Sequence, residues 1–315
     1  MQGVHMAGVL VVGSLNLDMV ITVPHIPMPG ENVHGNRFSM VAGGKGGNQA
    51  LAAARLGQDS CLRACVGTDA FGDFLVEALE GGGVDTFLVK RSGDVSTGVA
   101  LIAVEEHTGM NTIVVDPGAN MALISSDLDV LESSYGSYGT ALYQLEIPLE
   151  VVAEGARRAR KHGLATVLDA GPPRGANVEL ARLFDVVSPN ERELEDLTGR
   201  RVGGLDSTAA AAHELVEAGI RTVVVKMGEF GALLATKSNT EHIPAFSVPA
   251  VDSTGAGDAF SAGLAVALCD GKDLLDAVRF ANAAGACAVT VLGAQPSMPS
   301  RHDVERLLAR GEAGS

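Results

Sequence analysis

The chain has 315 residues, 46% of them hydrophobic, and a formal charge of −15. That length can bury a sizeable core in one large domain or two. The negative field argues against nucleic acid or an anionic membrane as partner, and no apolar run reaches the ~18–20 residues of a membrane span. Cys61, Cys65, Cys269 and Cys287 fit no zinc spacing and read as reduced thiols of a cytoplasmic protein. The first six residues carry no basic region, so we expect no signal peptide.

In chain order, residues 9–12 read as a buried strand. Residues 18–42 are richer in β-branched residues and turn signals than in helix formers. Gly43, Gly44, Gly46 and Gly47 then surround Lys45, and a helix follows that ends at Leu56-Gly57. Residues 97–115 read as a hairpin, 99–104 and 112–115 about a turn at 105–109. Beyond it, strands and helices alternate: strand 141–145, helix 149–162 with Gly163 as its stop, strands 166–169 and 185–188, helix 208–218, strand 222–226. This rhythm predicts a mostly parallel sheet covered by helices. Ligands on such sheets bind beyond the carboxyl ends of the strands, where Glu146, Asn190, Met227-Gly228 and Asp258 fall.

Phe260, Leu264 and Leu268 recur at helical spacing, so a buried helix starts near Gly257 and Asp258 lies in its first turn. The N–H groups of Gly255, Ala256 and Gly257 point off the positive end of that helix and form a candidate anion site. A carboxylate beside an anion site is an odd pairing. It makes chemical sense if Asp258 takes a proton from a hydroxyl while the N–H groups hold the phosphoryl group that the hydroxyl attacks. The plain alternative is an acidic first turn favoured by the helix dipole.

The loop around Lys45 lets backbone approach a ligand closely, and Lys45 and Asn48 supply a cation and an amide that bind hydroxyls. The plain alternative is a flexible turn with a solvated lysine. It is not a Walker A loop, because Gly46 rather than Ser or Thr follows Lys45. Nor does the Gly255 stretch fit the dinucleotide fingerprint, since Phe260 stands where the third glycine belongs.

Together these motifs resemble sugar kinases of the ribokinase-like (PfkB) family across nearly the whole chain. Residues 12–18 resemble the family's first strand and sugar-binding turn, and Pro29-Gly30-Glu31 the entry to its lid. Residues 43–48 resemble the first family signature and 252–260 the second. Asn190 and Glu193 match its Asn-x-x-Glu pattern, and residues 293–297 resemble the ribose-phosphorylating branch.

The resemblance implies a three-layer αβα fold with a mostly parallel central sheet and a small β-sheet lid. Residues 1–17, 43–96 and 116–315 would form the core, and 18–42 and 97–115 the lid, through which two copies would form a homodimer. It implies ATP-dependent phosphorylation of D-ribose at O5. The alternatives are another sugar such as fructose or 2-keto-3-deoxygluconate, a nucleoside, or a non-catalytic sugar or nucleotide sensor.

Asp258 would be the base, with Gly255, Ala256 and Gly257 as the anion hole. Asn16, Asp18, Gly44, Lys45, Asn48, Glu146 and Asp258 would hold the sugar. Adenine and ribose of ATP would lie beside Lys226, Met227, Gly228, Gly231 and Asn282, with Gly257 at the phosphates. Asn190 and Glu193 would organise water around Mg²⁺, though as a capping pair they also have an ordinary structural reading. A K⁺ ion would be held by Asp252, Thr254, Ala288, Val291, Gly293 and Ser297. The chain departs from the family pattern at Gly47, where alanine is usual. It departs again at residues 169–174, where relatives often carry Asn-Pro-Ala-Pro and this chain places the charges of Asp169 and Arg174.

Overall fold

The computed structural model describes residues 8–173, 175 and 177–312, so Arg174 and the first residues of the chain lie outside the described part. Nine strands form the central sheet. Their order is Thr240–Ile243, Ala232–Thr236, Thr222–Lys226, Val186–Ser188, Ala165–Asp169, Tyr138–Tyr143, Gly8–Val12, Ser60–Arg63, Val84–Asp85. Every pairing from Thr222–Lys226 onward in that order is parallel, and the Ala232–Thr236 and Thr240–Ile243 strands add to the edge antiparallel.

The strands are apolar at successive positions because both faces are covered. Val9, Val11, Leu142, Val167 and Val224 pack on one side with Ala259, Phe260 and Leu264. Their neighbours Leu10, Val12, Tyr143, Leu168, Val223 and Val225 pack on the other with Val151, Val152, Leu194 and Leu215. Two helical layers therefore sandwich one sheet.

The Gly8–Val12 strand lies between Ser60–Arg63 and Tyr138–Tyr143, so the chain winds away from it in opposite directions. The loops that follow these strands part there and open a crevice. Gly13-Ser14 and Gln144-Leu145-Glu146 emerge at its floor.

A second sheet has the order Arg37–Gly43, Asn16–Val23, Gly98–Glu105, Asn111–Asp116. Its strands take in Asn16 and Gly43, slightly beyond the segments expected from residues 18–42, because Asn16 pairs directly with both Gly43 and Gly98. A short parallel pair, Cys65–Gly67 with Lys90–Ser92, carries no hydrophobic period and has no counterpart in the sequence reading. Among the described residues no helix is long and apolar enough to cross a membrane.

Candidate active site

Two helices begin at the crevice, each after a glycine of positive φ. Gly44 (φ 86°) precedes the Lys45–Arg55 helix, and a Cβ there would stand 2.7 Å from the Asn16 nitrogen. Gly255 (φ 79°) precedes the Ala256–Cys269 helix, and a Cβ there would stand 2.8 Å from the Met298 methyl. Only glycine meets both the left-handed backbone and the crowding. Neither Gly44 nor Gly255 has a side chain to cap its helix, so the positive helix ends are left to groups that approach from elsewhere. One expected member of the anion hole is otherwise engaged: the Ala256 N–H donates to the Ser253 carbonyl at 3.2 Å, closing the turn that leads into the helix. Gly255 and Gly257 remain its candidates.

Glu146 lies across the start of the first helix. Its Oε2 accepts from the Ser14 hydroxyl at 2.5 Å and from the Lys45 N–H at 3.2 Å. The Asn16 amide oxygen accepts from Asn120 at 2.8 Å, and Asn120 also bonds both backbone groups of Leu15, which locks the turn after the first strand. Asp18 leaves the small sheet toward the same space. Burial, Glu146 and Asp258 together push its carboxyl up to about 7.

Asp258 is buried, and both of its oxygens are held. Asn48 donates to Oδ2 at 2.9 Å; Gln49 donates to Oδ1 at 3.0 Å, with the Lys45 amine 3.5 Å from that atom. The second hydrogen of the Gln49 amide goes to Asp169 Oδ2 at 2.8 Å, and Gln144 fixes the Gln49 oxygen from behind at 2.6 Å. Lys45 also reaches Asp169 Oδ2 at 3.3 Å, and Lys226 reaches Asp169 Oδ1 at 2.7 Å. Burial opposes charge on Asp169, but the two amines outweigh it and hold this carboxyl below its usual range. Burial likewise works against the Lys45 ammonium. Asp169, Asp258, Glu146 and Glu193 win, and Lys45 stays charged well above the usual lysine range.

Beside this cluster runs a groove of about 580 Å³, lined by Lys226, Gly228, Gly231, Gly257, Phe246 and Asn282 among others. Met227 does not join it. Its side chain is buried in the core, since the strand's alternation turns it under the sheet. Asn282 faces the groove but spends its amide hydrogens on the carbonyls of Ile243 and Pro244, at 3.1 and 3.3 Å, and so pins the groove wall.

Asn190 and Glu193 form the capping box that their spacing allows: each side chain accepts from the other's backbone N–H at 2.8 Å. Asp252 accepts from the N–H of Thr254 at 2.9 Å and of Gly293 at 2.8 Å, tying the two segments expected to hold K⁺. The Ser297 hydroxyl donates to the Ala294 carbonyl at 2.7 Å, and the Ala288 carbonyl accepts the Val291 N–H at 3.1 Å.

All the residues expected around the sugar thus converge on the crevice. Ser14, Gln49, Asn120 and Gln144 escaped the sequence reading. Gln49 carried a signal, an amide in a helix otherwise rich in small apolar residues, and the structure buries it fully. Asn120 carried none, because it comes from a short 3₁₀ segment more than a hundred residues away.

A groove of this size at the Gly257 helix start, beside the buried Asp258 carboxylate and a cluster of polar side chains, fits a phosphotransferase acting on a small hydroxylated acceptor. The model of the pfkB family carbohydrate kinases matches residues 6–301, and the chain belongs to that family. It is 38% identical to a ribokinase of Haemophilus influenzae over 95% of this chain and 97% of that protein. It is 36% identical to a deoxyribokinase of Salmonella typhimurium over 96% of this chain and 99% of the other. The structure of Arabidopsis thaliana ribokinase complexed with ribose and ATP is 34% identical, with a TM-score of 0.88 over 96% of this chain and 98% of that one.

Proposed function

We propose that this carbohydrate kinase transfers the terminal phosphoryl group of ATP to O5 of D-ribose. The observation that carries this reading is the setting of Asp258, a buried carboxylate held by Asn48, Gln49 and Lys45 in the first turn of an uncapped helix. Asp258 takes the proton of the attacking hydroxyl while the helix start stabilises the phosphoryl group. Asn16, Asp18, Lys45, Asn48 and Glu146 bind the sugar hydroxyls as acceptors and donors. Positioning and electrostatics then supply most of the rate. Relatives named ribokinase, and one solved with ribose and ATP, support the substrate.

A second reading, 2-deoxyribose, is favoured by the equally extensive similarity to a deoxyribokinase. Both readings are tested by sugar-dependent ADP release with ribose, 2-deoxyribose, fructose, 2-keto-3-deoxygluconate and nucleosides. A kcat/KM for ribose below that of any other acceptor overturns the ribose assignment. No ADP release with any of them overturns the kinase reading in favour of a sensor.

Hard oxygen donors fit the two implied cations. Glu193 is a buried carboxylate with only one oxygen engaged by the capping box, and it can order water around Mg²⁺, which neutralises phosphate charge. The Asp252 side chain or carbonyl, with the carbonyls of Thr254, Ala288, Val291 and Gly293 and the Ser297 hydroxyl, would supply an all-oxygen set suited to K⁺, and the bond from the Gly293 N–H to Asp252 ties its two segments together. Equal rates in K⁺, Na⁺ and a bulky organic cation at matched ionic strength would remove that site from the proposal.

We also assign the small sheet as a lid over the sugar and as a homodimer surface. Its face opposite Asp18 carries a continuous apolar row: Phe38 beside Ile21, and Met40, Met19, Leu101 and Val114 across the four strands. Phe38 and Val114 are 59% and 61% exposed, an unusual surface for a monomer. A cytoplasmic setting, with ATP and reduced thiols, suits the reaction.

A further inference from the structure

Asp169 is the charge by which this chain departs from the usual Asn-Pro-Ala-Pro run, and the sugar contacts above do not use it. It is fully buried and cannot touch a ligand, yet it receives both amines of the site, Lys226 on one oxygen and Lys45 on the other. A buried carboxylate with two lysines is costly unless its partners hold fixed positions. Gln49 completes the arrangement by bonding Asp169 and Asp258 with one amide group, so the Asp169–Lys226 pair and Asp258 are held in one frame.

Lys226 is the member of this frame that reaches the nucleotide groove. Its side chain is 11% exposed there, and its amine stands 4.0 Å from the point where a Cβ on Gly257 would lie. A nucleotide in the groove with its phosphates at the Gly257 helix start brings them beside the Lys226 amine. A lysine needed only as a counter-ion to Asp169 would not have to open onto the groove.

We propose that Lys226 contacts the terminal phosphoryl group of the nucleotide, rather than adenine or ribose, and that Asp169 is its positioning residue. Lys226 keeps one hydrogen on Asp169 and directs its others at the phosphoryl oxygens, so the carboxylate fixes where the positive charge stands before the nucleotide arrives. Preorganised charge of this kind costs no rearrangement during transfer. The inference rests on the kinase reading only in requiring a nucleotide in the groove. The identity of the sugar does not enter.

The test is calorimetric binding of a nonhydrolysable ATP analogue and of ADP, without sugar, to the full chain and its variants. Lys226→Met should weaken the analogue about tenfold or more, as for a lost bond to a charged group, and leave ADP within about twofold. Lys226→Arg should recover part of the loss. Asp169→Asn should reduce the preference for the analogue over ADP, because the amine is no longer held.

The double variant Asp169→Asn/Lys226→Met should be no worse than Lys226→Met alone, since Asp169 acts through Lys226. It also serves if the single lysine variant fails to fold around an uncompensated carboxylate. Equal losses for both nucleotides would place Lys226 on another part of the nucleotide, and no loss would leave it a structural counter-ion. Either result overturns the contact. An unchanged preference in Asp169→Asn overturns the positioning role. A wild-type chain that discriminates the nucleotides normally but does not phosphorylate ribose would overturn only the ribose reading.

Discussion

Asn48 donates to Asp258 Oδ2 at 2.9 Å across 210 residues of chain, and this bond joins the first turns of two helices that begin at the same crevice. It holds the carboxylate in one orientation, with the Gln49 bond on its other oxygen.

Replacing Asp258 by asparagine keeps the shape but removes proton acceptance. Turnover should fall at least ~10²-fold, the lower end for general-base catalysis, while ribose binding stays measurable by calorimetry. A variant that keeps more than about a tenth of wild-type kcat would exclude Asp258 as the base.

Ser14 orients Glu146 from a fully buried position. Ser14→Ala removes a hydrogen bond to a charged group, so the sugar KM should rise by about tenfold with a smaller change in kcat. Steady-state kinetics at saturating ATP would show it. An unchanged KM would mean that Glu146 needs no such support, or does not meet the sugar.

The carboxyl of Asp18 is pushed up to about 7 by burial, with Glu146 and Asp258 adding to it. In the proposed sugar site its carboxylate form is the one that accepts from hydroxyls, so ribose affinity should rise as pH increases through about 7. Stability runs the other way. The folded protein binds the Asp18 proton more tightly than the unfolded chain does, so ionising this group costs stability between its ordinary value and about 7. Asp18→Asn should therefore stabilise the ligand-free protein at pH 8, by ~1 kcal/mol or more, and the gain should vanish toward pH 4. Thermal melts across that range test the sign. A constant difference between variant and wild type would rule out a titrating Asp18.

Phe38 and Met40 stand exposed on the outer face of the small sheet. If two copies pair there, Phe38→Glu should produce a monomer in sedimentation equilibrium without lowering the melting temperature of the core. A dimer that survives this charge, or a wild-type monomer at micromolar concentration, would move the interface elsewhere.

Much of this protein is written locally. The alternation of strands and helices, the helix starting beside Gly255–Asp258 and the glycine loop around Lys45 are legible because each depends on residues within a turn or two. Period, capping and backbone freedom act at short range. The convergence of Glu146 and Asp258 on one edge was also legible, since groups that follow strand ends lie on one edge of any parallel sheet.

Only the tertiary structure decided which of those residues share atoms. Asp169 read only as a departure from the family pattern near the active edge until strand order placed Ala165–Asp169 two strands from Thr222–Lys226 and set Lys226 against it. Met227 looked like a groove residue until the alternation of that strand put it underneath. Gln49 bridges two carboxylates only because its helix packs beside Ala256–Cys269. The contacts of Asp169 and Gln49 arise from strand order and helix packing between residues 57 to 209 positions apart, and no local pattern of side chains encodes a partner that distant.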